Sequence, residues 1–338
     1  MRKLATIRKI SKLEPIKDAD RIELATVDGW KVIVGKDVGH QVGDLVIYCE
    51  VDSFLPIKPE FEFLRKSSYR KLADGSEGFR LKTMKMRGQV SQGLILPLIE
   101  TFGDFGWTAY EGLDVTDRLG IIKWDPPLPA QLAGTAIGYI PSFIQKTDEE
   151  RIQNLADQYD EIKQREFYQA EKLDGSSATF FLHKGEFGVC SRNLQLQQTE
   201  ENTFWKVARE LDIENKMRKS EVNDFAIQGE LIGAGIQKNP YGIKGQTVRF
   251  FSVYNIKNQS KYKFNRFEEI INDMGLETVP ILNRYMKLPD NIEDLIKGAD
   301  GKSALNHKTD RDGLVYRSLD GDYSFKCISN EFLVQEKD

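Results

Sequence analysis

Three cysteines and three histidines in 338 residues leave little material for a disulfide framework or a zinc site. Cys49, Cys190 and Cys327 lie far apart, form no CxxC pair and are odd in number. His40, His183 and His307 are as scattered. Any metal is therefore expected to sit on oxygen ligands, as Mg²⁺ or Mn²⁺ does. Long apolar runs are also missing: no stretch approaches the roughly 20 residues that a membrane span needs. The opening residues Met1–Ile10 are interrupted by charge and offer no apolar leader core, so an intracellular, cytoplasmic address without a membrane partner is expected. Net positive charge is absent too. Lys and Arg number 48 against 52 Asp and Glu, for a formal charge of −4, so any nucleic-acid footprint must be local. No internal repeat or low-complexity tract is found.

What is present suits soluble globular domains: 40% hydrophobic and 30% charged residues, in a chain long enough for two domains. The clearest seam is Trp124-Asp125-Pro126-Pro127-Leu128-Pro129, because prolines so spaced continue neither a helix nor a central strand. Domains over 1–125 and 126–338 are expected. The first reads as short strands and turns. Ile22–Val27 alternates, Asp28-Gly29 signals a hairpin, and Trp30–Val34 returns. Leu45–Val51 is a further strand, and Gly88 and Gly93 flank a turn before Leu94–Pro97. This spacing suits a small all-β barrel. Arg80, Lys82, Lys85 and Arg87 make one stretch locally basic, either a solvated strand face or a phosphate-contacting surface.

The second segment mixes types. Thr147-Asp148-Glu149-Glu150 has the form of a capping box, followed by Ile152, Leu155, Tyr159 and Ile162 at helical spacing. Helices are predicted over about 200–211 and 266–274. Strands are predicted near 167–170, 178–182, 225–232, 247–256, 313–317 and 323–326. Strand runs broken by helices without regular alternation indicate α+β with a largely antiparallel sheet.

Chemistry centres on Glu171-Lys172-Leu173-Asp174-Gly175, at a strand-to-turn junction. Such a lysine can act as a nucleophile if its surroundings lower its pKa. Alone, K-x-D-G arises by chance in roughly one such chain in ten. Its support is an ordered series downstream: Ser191-Arg192-Asn193, the string Gly229-Glu230-Leu231-Ile232-Gly233-Ala234-Gly235-Ile236-Gln237-Lys238-Asn239, Phe251–Ile256, Asp312–Arg317 and Ser324–Ile328.

This order resembles the motif series of the covalent nucleotidyltransferases, namely DNA ligases, RNA ligases and mRNA-capping enzymes. It is closest to ATP-dependent RNA ligases of the phage nick-sealing type, whose G-E-x-x-G-x-G-I-Q-K-N string it carries. The first part, with Ala19-Asp20-Arg21-Ile22-Glu23-Leu24-Ala25 and Asp28-Gly29-Trp30, is similar to the N-terminal OB domain of the Deinococcus- and Naegleria-type RNA ligases. The fold implied is an OB-type barrel followed by a nucleotidyltransferase domain of antiparallel sheets and flanking helices.

The resemblance also implies roles. Lys172 would carry AMP, Glu171 would offer its backbone carbonyl to adenine, and Asp174 and Gly175 would complete the first motif, with Asp174 near ribose and metal. Arg192 would meet ribose or the incoming phosphate, Glu230 the ribose hydroxyls, and Tyr254 would stack on the base. Asp312 would hold the metal, Lys326 the α-phosphate and Arg151 the distal phosphates of ATP. From their local positive charge, and not from the resemblance, Arg80, Lys82, Lys85 and Arg87 are expected to dock RNA. The expected cofactors are ATP and Mg²⁺ or Mn²⁺; the expected partner is RNA with 3′-OH and 5′-phosphate ends, at nicks, and the protein is expected to be a monomer.

Two departures stand out. Asp312 occupies a place usually held by Glu, and Ile328 stands where a second lysine often follows Lys326. Lys238 or Lys244 could supply the missing cation. Only twelve residues follow Lys326, which leaves no room there for the OB domain that DNA ligases and capping enzymes carry after the last motif. A non-catalytic RNA-binding protein is the alternative of a different class, and intact Lys172, Asp174, Glu230 and Lys326 weigh against it.

Overall fold

The computed structural model describes residues 3–72, 75–98, 109–124 and 136–335. Contacts divide the chain into two units, Met1–Pro127 with Leu333–Asp338, and Leu128–Phe332. The proline seam falls outside the described residues.

The first unit is built from short antiparallel sheets. Leu45–Cys49 runs between Ala5–Lys9 and Leu94–Pro97. Its five residues are apolar throughout, because both faces are covered: Val46 and Tyr48 enter a core with Trp30 and Val32, while Ile47 and Cys49 enter a second core with Phe61 and Phe79. The predicted hairpin is present. Ile22–Val27 pairs with Trp30–Gly35, and Asp28 and Gly29 both take positive φ, at 47° and 77°, as a two-residue hairpin turn demands. A further ribbon pairs Met84–Met86 with Gln89–Ser91, with Arg87 and Gly88 at its tip.

The second unit carries a seven-stranded and a five-stranded sheet. Ladders are antiparallel, except that Glu150–Arg151 runs parallel to Ser324–Ile328. In the larger sheet, Ser176–His183 lies beside Phe225–Gly233, which lies beside Gln246–Asn255. Alternation sorts their faces. Ala178, Phe180, Phe225, Ile227, Val248 and Phe250 enter the main core, shared with Thr203–Glu210, Ile213–Lys219 and Phe264–Asp273. Ser177 and Thr179 stand opposite Glu230 and Gln228 on the other face. In the smaller sheet, Phe167–Lys172 pairs with Gly313–Ser318, which pairs with Ser324–Ile328.

One element differs from its sequence signal. Thr147-Asp148-Glu149-Glu150 caps no helix: the next turns are 3₁₀ over Ile152–Gln158, with no side-chain cap, and a single α-turn over Tyr159–Ile162. The side chains are taken by distant partners instead. Thr147 shares a 2.7 Å hydrogen bond with Ser177, Asp148 accepts from Arg192, and Glu149 faces Arg317 and Lys261. Among the described residues, no helix is long and apolar enough to cross a membrane.

Candidate active site

Lys172 ends the Phe167–Lys172 strand, paired with Gly313, and Asp312 immediately precedes that partner strand. The register therefore sets the two side chains together, and the Lys172 ammonium donates directly to Asp312 Oδ2. Burial pulls the Lys172 pKa down, but Asp312 outweighs it, assisted by Glu230 and Asp174, and the amine is held above its ordinary value.

The turn after Lys172 is held from two sides. Gly175 lies flat on the Glu230 strand, where a Cβ would stand 2.4 Å from the Leu231 carbonyl oxygen and 2.9 Å from Glu230 Cγ. Above it folds the loop that carries the Gly-Ile-Gln-Lys-Asn string. The Asp174 N–H donates to Tyr241 Oη at 2.6 Å, and Gln237 Nε2 donates to the Gly175 carbonyl at 3.1 Å. Asn239 closes the loop on itself by accepting from the Ile243 N–H and donating to the Ile243 carbonyl. Gln237 and Asn239 thus shape the loop that fixes Asp174. Tyr241 is buried, and sequence reasoning passed over it; its place two residues after that string was the available signal.

Glu230 feels this cluster strongly. Burial pushes its carboxyl up to about 8, with Asp312 and Asp174 adding to the rise and Lys172 and Arg192 opposing it. Lys326 shows the reverse: burial, together with Lys172, Arg151 and Arg192, brings it down to about 8, against the pull of Asp148. The cations crowding Lys326 are therefore Lys172, Arg151 and Arg192. Lys238 and Lys244 lie exposed on the loop. Arg151 stands opposite Lys326 in the parallel ladder. Glu171 turns away from this group: its Oε2 accepts from the Ala304 N–H at 2.7 Å.

Two expected residues are placed otherwise. Tyr254 is 5% exposed and packs with Ile144, Phe181, Ala226 and Ile256. It pairs with Ala226, four residues along the strand from Glu230, or about 13 Å at strand rise. It is a core aromatic and does not reach the Lys172 group. Phe251, half-buried and near the Glu230–Arg249 rung, has Arg317 over its ring at 5.0 Å. A register shift between Gln228 and Gly229 displaces the alternation here. Arg80 is the other case. Its guanidinium lies 5.0 Å over the Trp124 ring and 3.8 Å from Asp52, so it is engaged within its own unit. Lys85 and Arg87 lie exposed on the projecting ribbon, and Lys82 is half-buried at its base.

For a metal, the donor set is oxygen. Among the described residues, no three His, Cys, Asp or Glu side chains gather to cage an ion. One carboxylate, Asp312, with Asp174 near, fits an ion that keeps several waters and meets substrate phosphates, as Mg²⁺ does.

A half-buried lysine ringed by carboxylates and cations, between two largely antiparallel sheets, is the arrangement of a covalent nucleotidyltransferase. Residues 4–98 match the family model of an OB-fold domain and residues 165–328 that of RNA ligase. A variant of the Naegleria gruberi RNA ligase with AMP and Mn is 38% identical over 100% of both chains, with a TM-score of 0.86. A variant with ATP and Mn is 38% identical over 99% of both chains, at 0.85. The same ligase with PPi is 38% identical over 100% of both chains, also at 0.85. Among curated proteins none matches. The chain belongs to the RNA ligase family.

Proposed function

We propose that this protein is an ATP-dependent RNA ligase that seals 5′-phosphate nicks in duplex RNA and carries AMP on Lys172. The observation behind this reading is the Lys172–Asp312 contact with Asp174, Glu230, Arg151 and Lys326 around it. Lys172 Nζ attacks the α-phosphorus of ATP. The N–P bond forms, the bond to the bridging oxygen breaks, and pyrophosphate leaves. The RNA 5′-phosphate then takes AMP from Lys172, and the 3′-OH displaces AMP to form the phosphodiester. Lys172 must shed a proton to solvent before it attacks, and at rest Asp312 is the group that holds that proton on the amine. Asp312 and Asp174 would hold a hydrated Mg²⁺ or Mn²⁺, which neutralises charge on the phosphate oxygens. Lys326 meets the α-phosphate, Arg151 the distal phosphates, and Arg192 the ribose or the incoming end. Glu230, with its raised pKa, hydrogen-bonds the ribose. The Glu171 carbonyl meets adenine, and Phe251 replaces Tyr254 as the stacking aromatic.

Residues 126–338 perform this chemistry, and residues 1–125 dock RNA. The docking element is the Met84–Ser91 ribbon. From Gly78 to Leu98 the sequence has four cations and no acid, a local positive strip in a chain of net negative charge. Lys82, Lys85 and Arg87 contact phosphates, while Arg80 supports the ribbon through Trp124. Every chemical role named falls on one chain, in keeping with a monomer, and three buried free cysteines suit a reducing cytoplasm.

A panel of 5′-phosphate nicks with RNA or DNA on either side tests this. RNA nicks should be sealed. Lys85→Glu with Arg87→Glu should lower sealing at least about tenfold, through lost phosphate contacts, while leaving Lys172 adenylylation intact. Adenylylation without sealing of any RNA nick would contradict the assignment.

A further inference from the structure

Glu149 plays no part in the chemistry above, yet it sits at the centre of a buried ion network. Its side chain is 11% exposed and faces Arg317 Nη2 at 3.4 Å and Lys261 Nζ at 3.9 Å. Arg317 is 7% exposed and Lys261 16%. Lys261 also donates to Ser324 Oγ at 3.4 Å, and Arg317 lies over Phe251. Burial lowers the Lys261 pKa, Glu149 opposes that fall and Arg317 adds to it.

Stability alone is a poor reason for this network. Burying ions costs several kcal/mol each, and packed apolar residues of similar volume often serve as well or better. Position is the better reason. The two residues after Glu149 are the two-residue strand Glu150–Arg151, whose only ladder among the described residues is the parallel one to Phe325 and Lys326. So short an edge strand is weakly held by its own backbone bonds. On the facing strands Arg317 pairs with Ser324, one side-chain rank from the Val315–Lys326 pair. Glu149 is thus gripped one rank behind the place where Arg151 meets Lys326.

We propose that Glu149 is a positioning residue: its pairing with Arg317 and Lys261 holds the strand that brings Arg151 to Lys326, and so sets the grip on the phosphate tail of ATP. This rests on the ligase reading, in which those two cations meet ATP. The test uses the full chain in two assays. One follows Lys172 adenylylation over a range of ATP concentrations; the other follows sealing of an RNA nick whose 5′ end already carries AMP, which needs no ATP.

The unsubstituted protein must perform both, and its failure would count against the ligase reading rather than against Glu149. Given that, Glu149→Gln should raise KM for ATP about tenfold with kcat within about twofold, the signature of lost substrate binding. Its sealing of the pre-adenylylated nick should stay within about twofold of the parent, since no phosphate tail is involved. Arg317→Met should repeat this pattern, and Glu149→Asp should recover most of the affinity. An unchanged KM in Glu149→Gln would overturn the proposal. So would an equal fall in both assays, which would mean that the network only holds the fold.

Discussion

Lys172 and Asp312 are in direct contact, the ammonium of one donating to the carboxylate of the other. The pair explains how a half-buried amine stays charged at rest: Asp312 outweighs the burial that lowers its pKa. It also ties the proposed nucleophile to the residue proposed to hold the metal.

Replacing Asp312 separates these two roles. Asp312→Asn should slow adenylylation about 100-fold, the scale of losing an electrostatic stabiliser, with partial recovery at higher Mn²⁺. The same change removes what raises the Lys172 pKa, so burial then acts unopposed by it. The rise of adenylylation kcat/KM with pH should therefore move to lower pH in the variant. Asp312→Glu keeps the carboxylate and should cost only a few-fold. Full activity of Asp312→Asn at low metal would remove Asp312 from the metal site.

Glu230 predicts a dependence of stability on pH. Its folded pKa, about 8, lies above the ordinary carboxyl value of 4.5. The protonated acid therefore favours the fold; its contribution is full below about 4.5 and is lost as pH rises through about 8. Glu230→Gln mimics the protonated form. Thermal unfolding should show the two proteins alike to within about 1 kcal/mol at pH 5, with the glutamine variant more stable by roughly 4 kcal/mol at pH 9. Equal melting at both pH values would show that Glu230 is solvated in the folded protein.

The sequence showed the motif residues more readily than the contacts that support them. Lys172, Asp174, Glu230, Asp312 and Lys326 were legible because the short motifs that carry them follow one another in a fixed order. Strands such as Ile22–Val27 and helices such as Phe264–Asp273 followed from periodicity. The Thr147–Glu150 segment misled because a capping box and a run of tertiary partners look alike until Ser177, Arg192 and Arg317 come close. Tyr254, given its role by resemblance alone, lies instead in a small apolar cluster with Ile144, Phe181, Ala226 and Ile256. Tyr241, 67 residues from Asp174, was invisible for the plain reason that only the fold joins them.

The account depends most on Lys172 as the residue that carries AMP. Intact-mass and peptide mass spectrometry of the protein, after incubation with ATP and Mg²⁺ or Mn²⁺, measures this directly. One added AMP should appear, on the peptide containing Lys172, with none in Lys172→Ala and none without metal. The label should leave on addition of a 5′-phosphorylated RNA nick. An AMP adduct that persists in Lys172→Ala, or no adduct under any metal condition, would contradict the account.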